Sequence, residues 1–234
     1  MKDLFGKAIL DFQTNNSPED LVTETSISDT DKMLVNYLFR CYGQMPTIEQ
    51  TALSLSFGRV LDVGCGAGSH SLYLQNEKNL DVLGIDISVN AIKTCQLRGI
   101  KKSFNCNLLD LNDEKFDTIL LLMNGTGIFQ SLKKINIYLQ KLKSLLARNG
   151  QILIDSSDLI YMYDVDMNNK PVIPKDKYYG EIIFKISYKN EIEEEFPWLY
   201  IDFELLTKIA FENNLKCELI VEGDNFDYLA RLSI

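Results

Sequence analysis

The feature that most constrains the fold is a glycine-rich loop that joins an apolar stretch to a polar helix start. The apolar residues 60–63 run into Gly-Cys-Gly-Ala-Gly at positions 64–68. A second apolar stretch then ends at Asp86, 22 positions after Gly64. A strand, a glycine turn and a helix, followed by a strand that closes on a carboxylate, are typical of a nucleoside-binding site. There the loop backbone approaches the ligand, and the carboxylate binds ribose hydroxyl groups.

The spacing of the glycines narrows the choice of nucleoside. The dinucleotide fingerprint is Gly-x-Gly-x-x-Gly, whereas the third glycine here, Gly68, comes one residue too early. Nicotinamide and flavin cofactors also bring a pyrophosphate, which requires open backbone N–H groups at a helix start. Asp62 stands inside the strand instead, where a carboxylate suits an amino group. The spacing therefore counts against an NAD(P)-dependent oxidoreductase, although that alternative stays open.

These residues resemble the first two motifs of the class I S-adenosylmethionine-dependent methyltransferases. In that family an acidic residue and one spacer precede Gly-x-Gly-x-Gly, which Asp62, Gly64, Gly66 and Gly68 match. The second motif is an acidic residue that closes the next strand, which Asp86 matches. The resemblance implies S-adenosyl-L-methionine as the cofactor, with the first carboxylate at its amino group and the second at its ribose.

Three later segments extend the resemblance over residues 58–155, and the last of them, 145–154, resembles the family's helix end, glycine turn and fifth strand. Residues 104–110 resemble the third motif, where relatives often place Asp against the adenine amino group. Asn107 stands at that position, and its side-chain oxygen is also an acceptor, with Asp110 as the alternative. Residues 116–125 resemble the fourth motif, in which Asn124 ends a buried strand beside the ligand. The resemblance implies these cofactor contacts: Asp62, Gly64, Cys65, Gly66, Gly68, Asp86, Ile87, Asn107, Leu108 and Asn124.

The order of apolar runs and amphipathic stretches predicts the architecture. Strands are predicted at 59–63, 80–85, 103–106, 117–123, 150–155, 216–222 and 226–232. Helices are predicted near 69–76, 90–98, 129–147 and 202–213, the third from apolar residues alternating at spacings of four and three. Strand–helix alternation favours a parallel sheet with right-handed crossovers. We therefore predict an α/β fold: a doubly wound, mostly parallel seven-stranded sheet with a C-terminal antiparallel pair, the Rossmann-like methyltransferase fold.

The remaining segments are assigned around this sheet. Residues 1–57 are predicted to form an N-terminal helical cap, with helices that begin at residues 17–20 and others over 29–42 and 46–55. The cap either covers the cofactor or simply closes the sheet. Residues 58–234 form the methyltransferase domain. Within it, residues 156–200 interrupt the strand–helix alternation and are predicted to be an inserted hairpin or an added edge strand on the substrate side.

The residues that handle the methyl acceptor are less constrained. Methyl transfer is an in-line displacement that depends on positioning, and a base is needed only where a proton must leave. The catalytic candidates are Asn124, Asp155 and His70, each with a structural alternative as a strand end, a loop residue or a packed helix start. Aromatic residues at 178–181 and 196–200 either wall an acceptor or anchor the insertion. The Asp/Asn-Pro-Pro-aromatic signature of amine and nucleic-acid methyltransferases is absent at 124–127, which counts against that class.

Composition bounds the partners. The formal net charge of −9 argues against nucleic acid and against an anionic membrane surface. Five widely spaced cysteines and a single histidine predict reduced thiols and no metal site. The first residues lack the apolar core of a signal peptide, so a cytoplasmic location is expected. The leading hypothesis is a methyltransferase for a small molecule. A protein that binds the cofactor without catalysis is the alternative, and the oligomeric state is left open.

Overall fold

The computed structural model describes residues 2–234, and over this range it has twelve strands and six α-helices. The strands are β1 Leu21–Thr25, β2 Ser28–Met33, β3 Arg59–Val63, β4 Asp81–Asp86, β5 Ser103–Asn105, β6 Phe116–Leu121, β7 Leu146–Ser157, β8 Glu181–Tyr188, β9 Glu191–Ile192, β10 Phe196–Leu199, β11 Lys216–Glu222 and β12 Asp227–Ser233. The helices are α1 Leu4–Thr14, α2 Thr47–Leu55, α3 Ser69–Asn76, α4 Val89–Leu97, α5 Leu132–Leu145 and α6 Phe203–Glu212. Short 3₁₀ turns lie at Val35–Phe39, Tyr42–Gln44, Leu108–Asp110, Gly125–Phe129 and Leu159–Met162.

Seven strands form the main sheet in the order β11-β12-β7-β6-β3-β4-β5. Strands β3 to β7 pair in parallel, while β12 runs antiparallel to both β7 and β11. The predicted seven-stranded sheet with its C-terminal antiparallel pair is confirmed. The strand order reverses at β3, because the chain extends from there to β4 on one side and later to β6 on the other. This reversal opens a crevice at the carboxyl ends of the strands.

Helices cover both faces of this sheet, which is why its central strands read as continuous apolar runs. On one face Leu61, Ile119 and Ile152 pack in a cluster with α5 and α6. On the other face Val60 and Leu120 pack with α2 and α3. The central parallel strands β3 and β6 are thus buried on both sides, which fixes the position of their carboxyl ends.

A second, antiparallel sheet has the order β10-β8-β1-β2, with β9 paired to β8. The helices predicted to begin at residues 17–20 and to span 29–42 are therefore wrong, because residues 21–33 form a hairpin. Its strand β1 pairs with β8, with Val22 opposite Ser187, and local periodicity cannot reveal a partner so far along the chain. The helix predicted at 46–55 is confirmed as α2. The inserted segment supplies the centre of the second sheet through β8, whereas a hairpin or added edge strand was predicted.

Helix α1 lies across the glycine loop. Ile9 packs with Leu38 and Ala67, the last of which belongs to the loop. Near the start of α1, the Asp3 carboxylate accepts hydrogen bonds from the backbone and side-chain nitrogens of Asn90 in α4. The N-terminal segment thus covers the side of the sheet where a cofactor is expected. The boundary between a cap and a methyltransferase domain at residue 57 stays a prediction.

Candidate active site

The glycine loop between β3 and α3 turns in the left-handed region. The φ angles of Gly64, Gly66 and Gly68 are +72°, +53° and +80°, values that residues with a side chain adopt at a cost. A Cβ atom added at Gly68 would lie 2.2 Å from Cδ1 of Ile100, so this glycine permits close packing. A Cβ atom added at Gly66 would find nothing nearer than the Gly64 carbonyl oxygen at 4.0 Å. The middle of the loop therefore faces free space that a ligand can enter.

Two carboxylates flank this loop, as predicted from the sequence. Asp62 is 2% exposed, and its Oδ2 accepts a hydrogen bond of 2.6 Å from the Ser71 hydroxyl. Asp86 ends β4 and accepts from the backbone N–H groups of Gly66 at 2.9 Å and Ser88 at 2.8 Å. Burial raises the pKa of both carboxyl groups above the usual value. Two acidic groups beside an open loop suit amino and hydroxyl donors and repel a pyrophosphate, so the residues fit S-adenosylmethionine.

The other predicted cofactor contacts differ in how far they reach the surface. Ile87 follows Asp86 and is 59% exposed, which leaves an apolar face beside the carboxylate. Asn107 is exposed, but its side-chain oxygen accepts the backbone N–H of Leu109 at 2.9 Å. Its amide nitrogen thus remains for a ligand. Leu108 is 3% exposed and belongs to the main core. The role of each in cofactor binding stays a prediction.

Cys65 occupies the loop as a buried, small side chain. Its Sγ lies 3.8 Å from Sγ of Cys95 in α4, and that second thiol donates a hydrogen bond of 3.3 Å to the Gly66 carbonyl oxygen. The hydrogen bond between the thiols and burial together raise the pKa of Cys65 well above its usual value. A buried thiol that resists ionisation packs the loop and is a poor nucleophile.

Sequence reasoning missed a buried ionic cluster behind the loop. Glu49 of α2 is 4% exposed and pairs with the guanidinium of Arg40 through both carboxylate oxygens. The same carboxylate contacts Nε2 of His70, on the first turn of α3, at 2.6 Å. The cluster ties α2 and the turn at Val35–Phe39 to the helix that follows the glycine loop. His70 is thus a packed and hydrogen-bonded side chain, the alternative to a free catalytic base. The residues before β3 carried no motif that would have indicated the cluster.

On the other side of the strand reversal, a cavity of about 350 Å³ lies at the carboxyl ends of β6 and β7. The strand ends contribute Asn124, Asp155 and Ser157 to its lining. Oδ1 of Asp155 accepts the N–H of Gly125, and Oδ2 accepts the N–H of Met123, both at 2.9 Å. Burial raises the pKa of Asp155 to about 6. Two of the three candidates from the sequence, Asn124 and Asp155, thus meet in one cavity, and His70 lies outside its lining.

The walls of this cavity come from both halves of the second sheet and from the turns beside it. The tip of the N-terminal hairpin contributes Thr25, Ile27 and Ser28, and β8 contributes Ile182. Further lining residues come from the turn at Leu159–Met162, from the end of the insertion and from the C-terminal turn: Leu159, Tyr161, Met162, Tyr200, Asn225 and Asp227. The second sheet therefore forms one wall of a cleft that stays open to solvent on another side.

The aromatic residues of the insertion divide between two tasks. Trp198 anchors, because a Cβ atom added at Gly127 would lie 1.8 Å from its Cε2. Tyr178 and Tyr179 also anchor, through hydroxyl bonds to Asp202 of 2.6 and 3.3 Å. Tyr200 instead lines the cavity, where burial raises its pKa to about 12. The prediction left both tasks open; the contacts of Trp198, Tyr178 and Tyr179 are those of anchors, and a role of Tyr200 in walling an acceptor stays a prediction.

Other kinds of site find no support in the described residues. Residues 2–234 contain no group of three or more histidine, cysteine, aspartate or glutamate side chains placed to hold a metal ion. Within the same range, no helix is both long and apolar enough to cross a bilayer.

Comparison with known proteins agrees with this geometry. A family model described as a methyltransferase domain matches residues 56–200. The structure of a SAM-dependent methyltransferase from Bacteroides fragilis, in complex with S-adenosyl-L-homocysteine, is 43% identical. The alignment covers 100% of this chain and 95% of that one, with a TM-score of 0.92. A methyltransferase structure from Clostridium acetobutylicum, 16% identical over 79% of this chain and 87% of its own, with a TM-score of 0.56, shows the same fold.

Curated relatives match only in part. The tRNA U34 carboxymethyltransferase of Pasteurella multocida is 30% identical over 129 residues, or 51% of this chain. The same enzyme of Haemophilus influenzae strain PittEE is also 30% identical over 129 residues. In both cases the matched part spans 37% of the relative's length.

Proposed function

Because the chain belongs to the family of S-adenosylmethionine-dependent methyltransferases, we propose that it transfers the methyl group of S-adenosyl-L-methionine to a small-molecule acceptor. The observation that carries the proposal is the pairing of two half-sites at one strand reversal. The glycine loop and Asp86 lie on one side of β3, and the cavity with Asp155 lies on the other. A donor and an acceptor bound in these places would meet between β3 and β6.

The chain's own residues would hold the cofactor at both ends. Asp86 would accept hydrogen bonds from the ribose hydroxyl groups, with Ile87 against the base. Asp62 would face the amino group of the methionine portion, directly or through water. When bound, S-adenosylmethionine supplies a methyl group on a positively charged sulfur, which is already a good leaving group. The protein then has to align an acceptor and exclude water, and helix α1 and the second sheet would serve the exclusion.

The size of the cavity supports a small acceptor. Ligand pockets commonly measure about 300–1,000 Å³, and the cavity of about 350 Å³ lies at the lower end of that range. Its presence also favours catalysis over the alternative of a protein that only binds the cofactor, since such a protein needs no second cavity. Membership of the methyltransferase family removes the nicotinamide-dependent oxidoreductase from consideration.

Transfer to tRNA is the second candidate, because the curated relatives are tRNA-modifying enzymes. Two observations count against it. The net charge of −9 opposes a polyanion, and binding to nucleic acid depends on clusters of lysine and arginine. No lysine, arginine or histidine of residues 2–234 lines the cavity, whereas Asp155 and Asp227 do. A phosphate-rich acceptor would therefore approach an acidic opening.

The cofactor part of the proposal is tested by calorimetric titration with S-adenosylmethionine, S-adenosylhomocysteine and NADH in parallel. We expect micromolar binding of the two adenosyl compounds and none of NADH. Asp86→Asn should weaken S-adenosylhomocysteine binding, because the ribose loses a charged acceptor. Asp81→Asn is the matched control, since Asp81 is an exposed residue at the start of the same strand. Binding of NADH alone, or equal affinities in the two variants, would contradict the proposal.

The acceptor class is tested with S-adenosylmethionine that carries a radiolabelled methyl group. The purified protein is incubated either with total tRNA or with a tRNA-free extract of small metabolites. Label should enter the low-molecular-weight fraction only. Label in tRNA, with salt-sensitive binding of tRNA to the protein, would reverse the choice between the two candidates.

A further inference from the structure

We propose that the acceptor is an amine, whose nitrogen binds the carboxylate of Asp155 in the cavity at the ends of β6 and β7. The inference rests on the proposed function and names its substrate class. It starts from the charges that line the cavity. Two carboxylates, Asp155 and Asp227, face a space to which no cationic side chain of residues 2–234 contributes. Such a space repels carboxylate and phosphate groups and attracts an ammonium group.

Asp155 is buried without a cationic partner. It is 8% exposed, and the groups that donate to its two oxygens are neutral backbone N–H groups, those of Met123, Asn124 and Gly125. No salt bridge within residues 2–234 includes it. Burying a charge is costly unless it is paired, and each carboxylate oxygen can accept a second hydrogen bond. An ammonium group in the cavity would supply the missing positive charge, which an alcohol of equal size cannot do.

Two aromatic side chains of the lining favour the same class. Tyr200 contributes its ring, and among residues 2–234 its hydroxyl has no hydrogen-bond partner. Tyr161 lies on the other part of the lining and stacks on Phe226 with ring centroids 4.6 Å apart. Aromatic faces attract ammonium groups through the ring quadrupole. A cavity lined by a carboxylate and two tyrosines thus combines a charged acceptor with aromatic surface for the rest of the molecule.

The chemistry balances with Asp155 as the base. A bound ammonium ion gives one proton to the carboxylate and becomes a neutral amine with a free lone pair. A carboxyl group whose pKa is about 6 accepts a proton near neutral pH and returns it to water later. The lone pair of the amine forms the bond to the methyl carbon while the bond from that carbon to sulfur breaks. The electron pair of the broken bond stays on sulfur, and S-adenosylhomocysteine and a methylated ammonium ion are the products.

The sequence counted against an amine because the Asp/Asn-Pro-Pro-aromatic signature is absent at 124–127. That signature places its acceptor at the end of the fourth strand. Here the carboxylate comes from the neighbouring strand β7, and the backbone N–H groups that orient it come from the loop after β6. Asp155 therefore provides, at the end of β7, the polar group that the signature would provide at the end of the fourth strand.

The experiment compares size-matched probes on the full chain saturated with S-adenosylhomocysteine. Binding is measured for benzylamine, benzyl alcohol and benzoate, and for isobutylamine, isobutanol and isobutyrate. We expect the amine to bind about tenfold or more tightly than its alcohol in at least one set, with the acid weakest. An absence of amine preference in both sets, including an absence of all binding, would overturn the inference.

Two variants locate the effect. Asp155→Asn should abolish the preference for the amine over the alcohol. Asp224→Asn removes a charge from the exposed turn beside Asp227, outside the lining, and should retain the preference. Because Asp155 also orients a loop, the comparison of probes on the unaltered protein decides the matter if Asp155→Asn does not fold. If the unaltered protein does not bind S-adenosylhomocysteine, the proposed function itself is refuted. Retained binding without an amine preference refutes only the amine.

Discussion

The buried cluster of Arg40, Glu49 and His70 leads to a quantitative prediction for Glu49→Gln. The substitution keeps the size of the side chain but removes its negative charge, while Arg40 stays 6% exposed. Removing one partner of a buried ion pair costs about 3–5 kcal/mol, because the remaining charge is left uncompensated. Since domains of this kind are stable by only about 5–15 kcal/mol, the loss should be a large part of the total.

The measurement is urea unfolding of the wild type and the variant, followed by circular dichroism. Glu218→Gln is the matched control, because Glu218 pairs with Arg231 at 2.8 Å on the surface with its side chain 55% exposed. A surface pair of this kind contributes about 0–1 kcal/mol. If Glu49→Gln lowers the free energy of unfolding no more than the control does, the cluster is not the stabilising element described here.

The pH dependence provides an independent check. Burial alone would raise the pKa of Glu49, but hydrogen bonds and charges from His70 and Arg40 hold it below its usual value. The native state therefore binds fewer protons at this site than the unfolded chain. Stability from this site is present above the unfolded pKa of about 4.3 and is lost as the pH falls through the native value. The difference between wild type and Glu49→Gln should accordingly shrink in acid. A constant difference would show that the charge of Glu49 is not the cause.

Three further predictions follow from single sites. Gly66→Ala should lower the free energy of unfolding by about 1–2 kcal/mol, because the φ of +53° is unfavourable for alanine. The added methyl group should also block S-adenosylhomocysteine. Unimpaired binding in calorimetry would mean that the loop does not face the cofactor. Gly127→Ala should force Trp198 aside and lower the free energy of unfolding by about 1–3 kcal/mol, seen as a lower urea midpoint. In a Trp198→Leu background the same substitution should have a smaller effect. Asp155 has a raised pKa, so the native state retains a proton that the unfolded chain loses between about pH 4 and pH 6. The free energy of unfolding of the wild type should therefore fall, relative to that of Asp155→Asn, as the pH rises from about 4 to 6.

The cofactor half of the site was readable in the sequence because its parts are local. Residues 59–69 contain the strand, the loop and the first residue of the helix in one continuous stretch, and its glycines permit the positive φ angles of the turn. Asp86 is reached through one strand–helix–strand unit, whose handedness is fixed. Apolar runs that are buried on both faces likewise predicted the strands of the seven-stranded sheet.

The N-terminal hairpin shows where this reasoning stops. Residues 28–33 are mostly polar and carry no strand pattern, and residues 29–42 show an apolar spacing that favours a helix. The hairpin exists because β1 pairs with β8, more than 150 residues later in the chain. Its partner, and not its own propensity, decides its conformation.

The sequence by itself determined the fold class and the cofactor, since both depend on residues that are neighbours in the chain or one crossover apart. Only the tertiary structure decided the cavity that we propose for the acceptor. Its walls come from the hairpin of residues 21–33, the ends of β6 and β7, and the insertion that contains β8. These segments meet through long-range strand pairing, which fixes the distances between side chains that no spacing in the sequence encodes.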